Sequence, residues 1–438
     1  MASAFRRTVR GMRDFLPEEA GTMRQIERLT RTLAQTFGYK EVITPILEHY
    51  ELLAAKAGEE IRERMYVFED LGGRKVALRP EFTASIARLV VTKLIYDPKP
   101  IRLFCAGSLY RYDEPQFGRY REFWQANYEL IGSDRPEADA EVLALTNEFM
   151  KKLRIRNYYF KVGHVGVLRG ILAEEGIKEA QQNSIMQLLD KKQWDEALNL
   201  VKNVGGSDKC QETLSNLFEA RGNDPVHIIK DIQSIVKDYK SAYEAAENLQ
   251  EILNLVSESG IDLNLLVEAR FARGLEYYTG IIFEVYAPEA DIALGGGGRY
   301  DGLIELFGGE HTPAVGVALG LDRLMLVVTK QQAFGKPSAK RRVLVVSVTD
   351  ELRGKAFEVS SKIREAGICA EVEVMGRSVS KALSDAGRRG VTHVIIIGLE
   401  ELREGKVVLR DMERKEQKVL SLEGVLKELT TNYTPTPS

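Results

Sequence analysis

The chain has 438 residues, 44% of them hydrophobic and 29% charged, with a formal net charge of −3. That length suits two to four domains around a large core, and the near-neutral balance excludes binding of nucleic acid by overall basicity, leaving only a local patch for such a partner. No apolar run approaches a membrane span and the N-terminal MASAFRRTVRGMRDFLPEE lacks an apolar segment, so no membrane association is expected. Cys105, Cys210 and Cys369 are scattered without a CxxC, which points to a reducing compartment. The five histidines (His49, His164, His227, His311, His393) are equally isolated, so no protein-bound structural metal is expected.

In chain order, Met23, Ile26, Leu29, Leu33 and Phe37 recur at helical spacing and predict a helix over 17–37, ended by Gly38. A strand over 39–43 follows, and Pro45 marks the passage to a helix within TPILEHYELL. This segment faces either a partner subunit or the core. Short strands over 66–69 and 75–78 flank Gly72-Gly73 as a hairpin. LRPEFTASIAR then opens a helix over 84–94, with Glu81 and Thr83 at its start, where they cap it or face a cavity.

Residues 102–132, RLFCAGSLYRYDEPQFGRYREFWQANYELIG, read as strands over 102–112 and 120–131 joined by a charged loop that Pro115 and Gly118 shape. The second strand alternates with a period of two. Trp124, Ala126, Tyr128 and Leu130 form a core face; Arg121, Phe123, Gln125, Asn127 and Glu129 form the other. A polar face like that on an inner strand is costly unless something pairs with it, and a ligand is the expected partner. Arg111 and Arg121 flank the loop with guanidinium forks that suit phosphates, or that make ordinary surface ion pairs.

A helix over 136–153 and a strand over 158–163 come next. Between 166 and 260 the pattern turns helical, with amphipathic stretches over 184–204, 223–239 and 241–258. They form either a module inserted between strands or part of the same core. Strand character returns at Leu263. ARGLEYYTG carries Arg273, Glu276, Tyr277 and Tyr278, and Gly295–Gly298 allow close backbone approach to a ligand or a tight turn. These glycines fit neither a P-loop nor a dinucleotide fingerprint. TPAVGVALGLDRLMLVV predicts a strand running into a helix, with Arg323 near the helix start, either as an anion site or as a surface cation. Gly335 and Pro337 mark residues 331–340 as a linker. The remaining residues alternate strand and helix, with Arg377, Lys381, Arg388 and Arg389 available for a basic edge and an unstructured tail from Thr430.

Together these stretches resemble the class II aminoacyl-tRNA synthetases, and within them the histidyl-tRNA synthetase family. RGMRDFLPEE, LRPEFTASIAR, RYDEPQFGRYREFWQANYELIG, ARGLEYYTG, LGGGGRYDGL and AVGVALGLDRL stand in the family's order across nearly the whole chain. The resemblance implies an α+β fold: an antiparallel-sheet catalytic domain in two segments, 1–165 and 261–330, a helical insertion over 166–260, a linker over 331–340, and a C-terminal α/β anticodon-binding domain over 341–438. It implies a histidine–tRNA ligase that activates L-histidine with ATP to histidyl-adenylate and passes it to the 3′ end of tRNA(His). A cytoplasmic homodimer through the region of Pro45, with Mg²⁺ accompanying ATP, is implied as well.

By the same resemblance, Arg273, Arg111 and Arg323 are the catalytic cations. Arg111, Asp113, Arg121, Phe123 and Arg323 would hold ATP, Phe123 by stacking on adenine. Glu81, Thr83, Gln125, Glu129, Arg273, Tyr277 and Tyr278 would hold histidine, with Glu129 and Tyr278 at the two imidazole nitrogens. Gln116 would touch the first base pairs of the tRNA. Two positions depart from the family: Tyr112-Asp113 replaces a common His-Glu, and Phe117 replaces a common basic residue. The resemblance also admits a non-catalytic, histidine-binding regulatory paralogue, which usually lacks the last domain and the ATP-site arginines. Sister synthetases for threonine, proline or glycine are disfavoured by ARGLEYYTG and GGGGRYDGL.

Overall fold

A computed structural model describes residues 6–55, 57–116, 118–273, 277–290, 292–334 and 341–430. Phe117, Glu276, linker residues Gly335 and Pro337, and the tail past Thr430 lie outside the described residues. The chain divides into two compact units, Met1–Phe334 and Gly335–Ser438.

The strands of the first unit are β1 (Lys40–Glu41), β2 (Leu47–His49), β3 (Val67–Glu69), β4 (Lys75–Leu78), β5 (Ile101–Tyr110), β6 (Glu122–Ile131), β7 (Tyr159–His164), β8 (Arg221–Gly222), β9 (Leu265–Glu268), β10 (Ile281–Tyr286), β11 (Gly295–Arg299) and β12 (Ala314–Gly320). Among the described residues they make a nine-stranded sheet, β1-β5-β6-β12-β11-β10-β7-β9-β8, and a small sheet, β2-β4-β3. From β5 to β7 every pairing is antiparallel.

The first helices are α1 (Pro17–Thr36), α2 (Tyr50–Ala54), α3 (Gly58–Glu63), α4 (Thr83–Leu89) and α5 (Pro136–Lys152). α1 presents Met23, Ile26, Thr30 and Leu33 to the core at three- and four-residue spacing, and α5 adds Val142, Phe149 and Met150. Beneath them Phe104, Tyr128, Phe160 and Phe283 are fully buried, and the Tyr128 hydroxyl donates to the Thr30 carbonyl at 2.8 Å. The Arg299 guanidinium on β11 pairs with the buried Asp139 carboxylate on α5 at 2.8 Å, tying helix to sheet.

Between β7 and β9 run α6 (Val165–Glu174), α7 (Glu179–Asp190), α8 (Trp194–Asn203), α9 (Asp208–Glu219), α10 (Pro225–Ile235) and α11 (Lys240–Glu258). Their apolar faces join the sheet's core without a break. The stretch 184–204, expected as one helix, is two. Lys192 takes a positive φ of 59° between α7 and α8, although no glycine or proline marks the break. The helix expected over 84–94 becomes a π-helical turn at Val90–Leu94. The first unit ends with α12 (Leu303–Leu306) and α13 (Leu321–Lys330).

The second unit holds β13 (Arg342–Ser347), α14 (Arg353–Glu365), β14 (Cys369–Val372), α15 (Val379–Arg388), β15 (His393–Ile397), α16 (Leu399–Arg403), β16 (Lys406–Asp411), β17 (Gln417–Ser421) and α17 (Leu422–Thr430). Its sheet, β14-β13-β15-β16-β17, is parallel at β14-β13-β15 and antiparallel beyond. Alternation along β13 buries Val343 and Val345 on one face and Leu344 and Val346 on the other. The expected basic edge is largely neutralised: Arg377 pairs with Glu373, Arg388 with Asp385, and Arg389 with Glu371 and Asp385. No helix among the described residues is long and apolar enough to cross a membrane.

Candidate active site

Strand alternation along β6 sends Phe123, Gln125, Asn127 and Glu129 to one face and puts Ala126, Tyr128 and Leu130 in the core. Trp124, expected on the core face, is only partly buried and reaches the cavity wall. Across the sheet, Gly316, Ala318 and Gly320 of β12 pair with Glu129, Asn127 and Gln125. Gly298 and Gly296 of β11 stand opposite Gly316 and Ala318 in turn. Small residues in two neighbouring strands thus clear a hollow over the sheet, a cavity of about 340 Å³.

The glycines of Gly295–Gly298 therefore lie in an extended strand and not in a turn. Their missing side chains admit the cavity's own groups. A Cβ on Gly316 would strike the Glu129 carboxylate and one on Gly296 the Arg273 guanidinium, while one on Gly298 would press to 3.0 Å from the Tyr278 ring.

Glu129 closes the deep end. Thr83 Oγ1 donates to its Oε1 at 2.8 Å, Asn127 Nδ2 to the same oxygen at 3.2 Å, and the Tyr300 hydroxyl to Oε2 at 2.6 Å. Burial raises its pKa to about 7, the three donors opposing that rise. Thr83, placed by the sequence at either a cap or a cavity, thus faces the cavity. Glu81 caps α4 instead, its Oε1 accepting from Ala84 N–H at 2.9 Å. Its Oε2 accepts from the Tyr277 hydroxyl at 3.3 Å, and burial pushes its pKa upward. Tyr278 packs against Tyr277 with ring centroids 4.9 Å apart.

The opposite end is cationic. Arg111 donates from Nε to the Pro80 carbonyl at 2.9 Å and lies 5.4 Å from the centroid of Phe123. Arg323, in the first turn of α13, donates to the carbonyls of Ala293 at 2.7 Å and Gly118 at 3.3 Å. Burial, then repulsion from Arg111 and Arg119, lowers its pKa to about 10. Arg273 stands 3.6 Å from Glu284. Burial holds the Arg111 and Arg323 guanidinium groups below their ordinary range, so both are poised for an anion, whereas for Arg273 burial is outweighed by Tyr278 and Glu284, which stabilise its charge.

The structure brings Glu81, Thr83, Arg111, Asp113, Phe123, Gln125, Glu129, Arg273, Tyr277, Tyr278 and Arg323 to this one cavity. Asp113 pairs there with Arg64 at 3.1 Å. Arg121 and Gln116 do not line it. Arg121 precedes β6, stacks 3.6 Å over Tyr112 and donates to the Asp113 carbonyl; Gln116 is exposed on the loop.

Residues to which the sequence assigned no individual role also take part. Tyr300 and Asn127 hold Glu129. Asp322 pairs with Arg13 and accepts from Trp124 N–H, fastening the RGMRDF segment to the cavity wall. Asp190, at the end of α7, brings the helical stretch to the same wall. Tyr300 follows GGGGR directly, so the signature itself was the available signal. One end thus offers carboxylates, phenols and amides, and the other three guanidinium groups. The arrangement suits a small amine- or ring-nitrogen-bearing molecule set beside a polyphosphate.

A family model for histidyl-tRNA synthetase matches residues 11–324, and one for an anticodon-binding domain matches residues 342–432. A histidine–tRNA ligase from Methanocaldococcus jannaschii is 41% identical over 416 residues, 94% of this chain and 97% of that one. Among solved structures, apo histidyl-tRNA synthetase of S. aureus is 26% identical with a TM-score of 0.73, covering 97% of this chain and 99% of that one. A Bacillus halodurans protein titled an ATP phosphoribosyltransferase regulatory subunit/histidyl-tRNA synthetase is 26% identical with a TM-score of 0.74, covering 86% of this chain and 96% of that one.

Proposed function

The chain belongs to the histidyl-tRNA synthetase family, and on that premise we propose that it activates L-histidine with ATP and transfers it to the 3′ end of tRNA(His). The observation that carries this reading is the bipolar cavity, with a three-donor carboxylate at one end and Arg111, Arg273 and Arg323 at the other.

The amino acid's carboxylate oxygen attacks the α-phosphorus of ATP, and the bond to the bridging oxygen breaks to release pyrophosphate. A terminal ribose hydroxyl of the tRNA then attacks the acyl carbon, and AMP departs. Negative charge builds on the phosphoryl oxygens in the first step, so preplaced cations supply much of the catalysis. Arg273, beside Glu284 and Tyr278, is assigned to the α-phosphate and the amino-acid carboxylate. Arg111 and Arg323 are assigned to the other phosphates, and Phe123 to the adenine. Glu81, Thr83 and Gln125 take the α-amino end, with Tyr277 holding Glu81 in place. Glu129 and Tyr278 take the imidazole. Arg121 acts on ATP only indirectly, by shaping the loop through Asp113, and Gln116 is left for the acceptor stem.

Mg²⁺ enters with ATP as part of the substrate. Such an ion takes one or two carboxylates beside phosphate oxygens and water, and Glu284 and Asp190 on the cavity wall fit that donor set. We also infer a homodimer. Ile43, Leu47, Phe68 and Leu71, on and around the small sheet, are 89%, 41%, 46% and 110% exposed, an apolar face suited to a second copy. The second unit is assigned to the anticodon, and the protein to the cytoplasm.

Charging of tRNA(His) with labelled histidine tests the reading. Acylation that depends on ATP and falls by about 10²-fold or more in Arg273→Ala, the scale of losing one transition-state cation or donor, is expected. Histidine binding without acylation would transfer the chain to the regulatory class.

A further inference from the structure

Beyond its place on the polar face of β6 and its bond to Glu129, Asn127 has been given no part in binding substrate. It is 2% exposed and stands on β6 between Gln125 and Glu129, on the cavity face. Its Nδ2 donates to Glu129 Oε1 at 3.2 Å and approaches Thr83 Oγ1 at 3.5 Å. Its Oδ1 is buried and has no hydrogen-bond partner among the described residues. With Glu129 ionised, as above about pH 7, the orientation of the amide is fixed by chemistry, because turning it over would set a carbonyl oxygen against the carboxylate. The unpaired acceptor therefore belongs to Oδ1, and buried polar atoms left unpaired are uncommon enough to require a cause.

The cause lies in the acceptor capacity of Glu129. An ionised carboxylate offers about four lone-pair sites. Thr83 and Asn127 occupy Oε1, and Tyr300 occupies one site on Oε2. One site remains, enough for a single ring N–H. The Tyr278 hydroxyl is one further acceptor for an imidazole carrying two N–H groups, and the unpaired Asn127 Oδ1, beside Glu129 on the same strand face, is another. Opposite Asn127, Ala318 is too small to fill the space over it.

We propose that Asn127 is a specificity-determining residue of the amino-acid pocket: its amide nitrogen pins Glu129 while its free Oδ1 accepts an N–H of the substrate's imidazole ring. The inference rests on the histidine reading above and goes further by predicting what the pocket rejects. A ring of the same size without an N–H leaves Oδ1 buried and unpaired, and sites built to hydrogen-bond a substrate group discriminate strongly against its absence.

The test is pyrophosphate exchange with histidine and with 2-thiazolylalanine, whose five-membered ring has no N–H, in the full-length wild type, Asn127→Ala and Asn127→Asp. In Asn127→Ala the KM for histidine should rise by about tenfold, the size expected for one buried hydrogen bond, with the KM for ATP within about twofold. The preference for histidine over thiazolylalanine should fall by about the same tenfold. Asn127→Asp keeps an acceptor but loses the donor to Glu129 and sets a second carboxylate against it, so it should bind both substrates more weakly while still preferring the ring that carries an N–H. Equal losses for the two substrates would overturn the proposal, because Asn127 would then act only by holding Glu129. An unchanged preference would overturn it as well. If Asn127→Ala does not fold, the ratio is read on Asn127→Ser, whose hydroxyl is too short to serve both groups. Absence of histidine-dependent exchange in the wild type would instead sink the underlying reading, and that outcome is distinct from the others.

Discussion

Glu129 is under two opposing pressures, burial that favours its neutral form and three donors that favour its charge, and burial dominates. Its folded pKa of about 7 stands above the ordinary 4.5. Well below pH 4 both the folded and unfolded forms hold the proton, and the group contributes nothing to pH dependence. Between about 4.5 and 7 the native state keeps a proton that the unfolded state has lost, so stability falls as pH rises; above 7 the full cost stands. Wild type should therefore lose about 3 kcal/mol relative to Glu129→Gln between pH 4.5 and 8, read as urea midpoints at each pH. A gap that does not widen with pH would mean that Glu129 is ionised throughout. The buried Arg299–Asp139 pair is structural and lies apart from the cavity chemistry. Arg299→Ala leaves the Asp139 carboxylate, fully buried, without its partner, and should cost about 3–5 kcal/mol in stability. A loss under about 1 kcal/mol would show that water or protonation of the carboxylate satisfies Asp139 without Arg299.

At the scale of elements, β11 and β12 do their work by lacking side chains. Gly316→Ala places a methyl on the Glu129 carboxylate and 2.8 Å from the Tyr128 carbonyl oxygen, so the KM for histidine should rise at least about tenfold, together with a loss of stability as the two strands shift apart. Gly297→Ala is a more severe case: its Cβ would meet the backbone of β12, including the Val317 Cα at 2.8 Å, and backbone cannot swing aside as a side chain can. Loss of soluble folded protein is expected for Gly297→Ala, and unchanged thermal melting would contradict it. The polar face of β6 was legible in the sequence because alternation in a strand is a geometric fact, and Gln125, Asn127 and Glu129 obey it. Arg121 shares their parity but lies one residue before the strand begins, where alternation no longer dictates direction; its side chain turns to Tyr112. The break at Lys192 was not legible either. Apolar spacing continues across it, and the positive φ falls on a residue type that usually avoids one. Whether Glu81 or Thr83 caps α4 depends on which one finds Glu129 across the sheet, a tertiary contact that no local rule contains. Tyr300 was signalled by its place directly after GGGGR, but its bond to Glu129 is again a tertiary contact.

On the scale of the whole molecule, the first unit carries the entire cavity, while the second has its own apolar layers on both faces of its sheet. The two chemical steps should accordingly separate. A chain ending at residue 334 should keep histidine-dependent pyrophosphate exchange but charge tRNA(His) poorly, and equal loss of both steps would show that the second unit is needed for adenylate formation. The exposed apolar face around β2 and β3 predicts a dimer. Leu71→Glu should shift the mass in sedimentation toward the monomer, and an unshifted dimer would place the interface elsewhere.

The measurement that bears most directly on the whole reading is exchange of labelled pyrophosphate into ATP, with each standard amino acid supplied separately and Arg273→Ala as the control. The predicted result is exchange with histidine alone, lost in the variant. Exchange with a different amino acid would contradict the roles given to Glu129 and Tyr278, and histidine binding without any exchange would contradict the ligase itself.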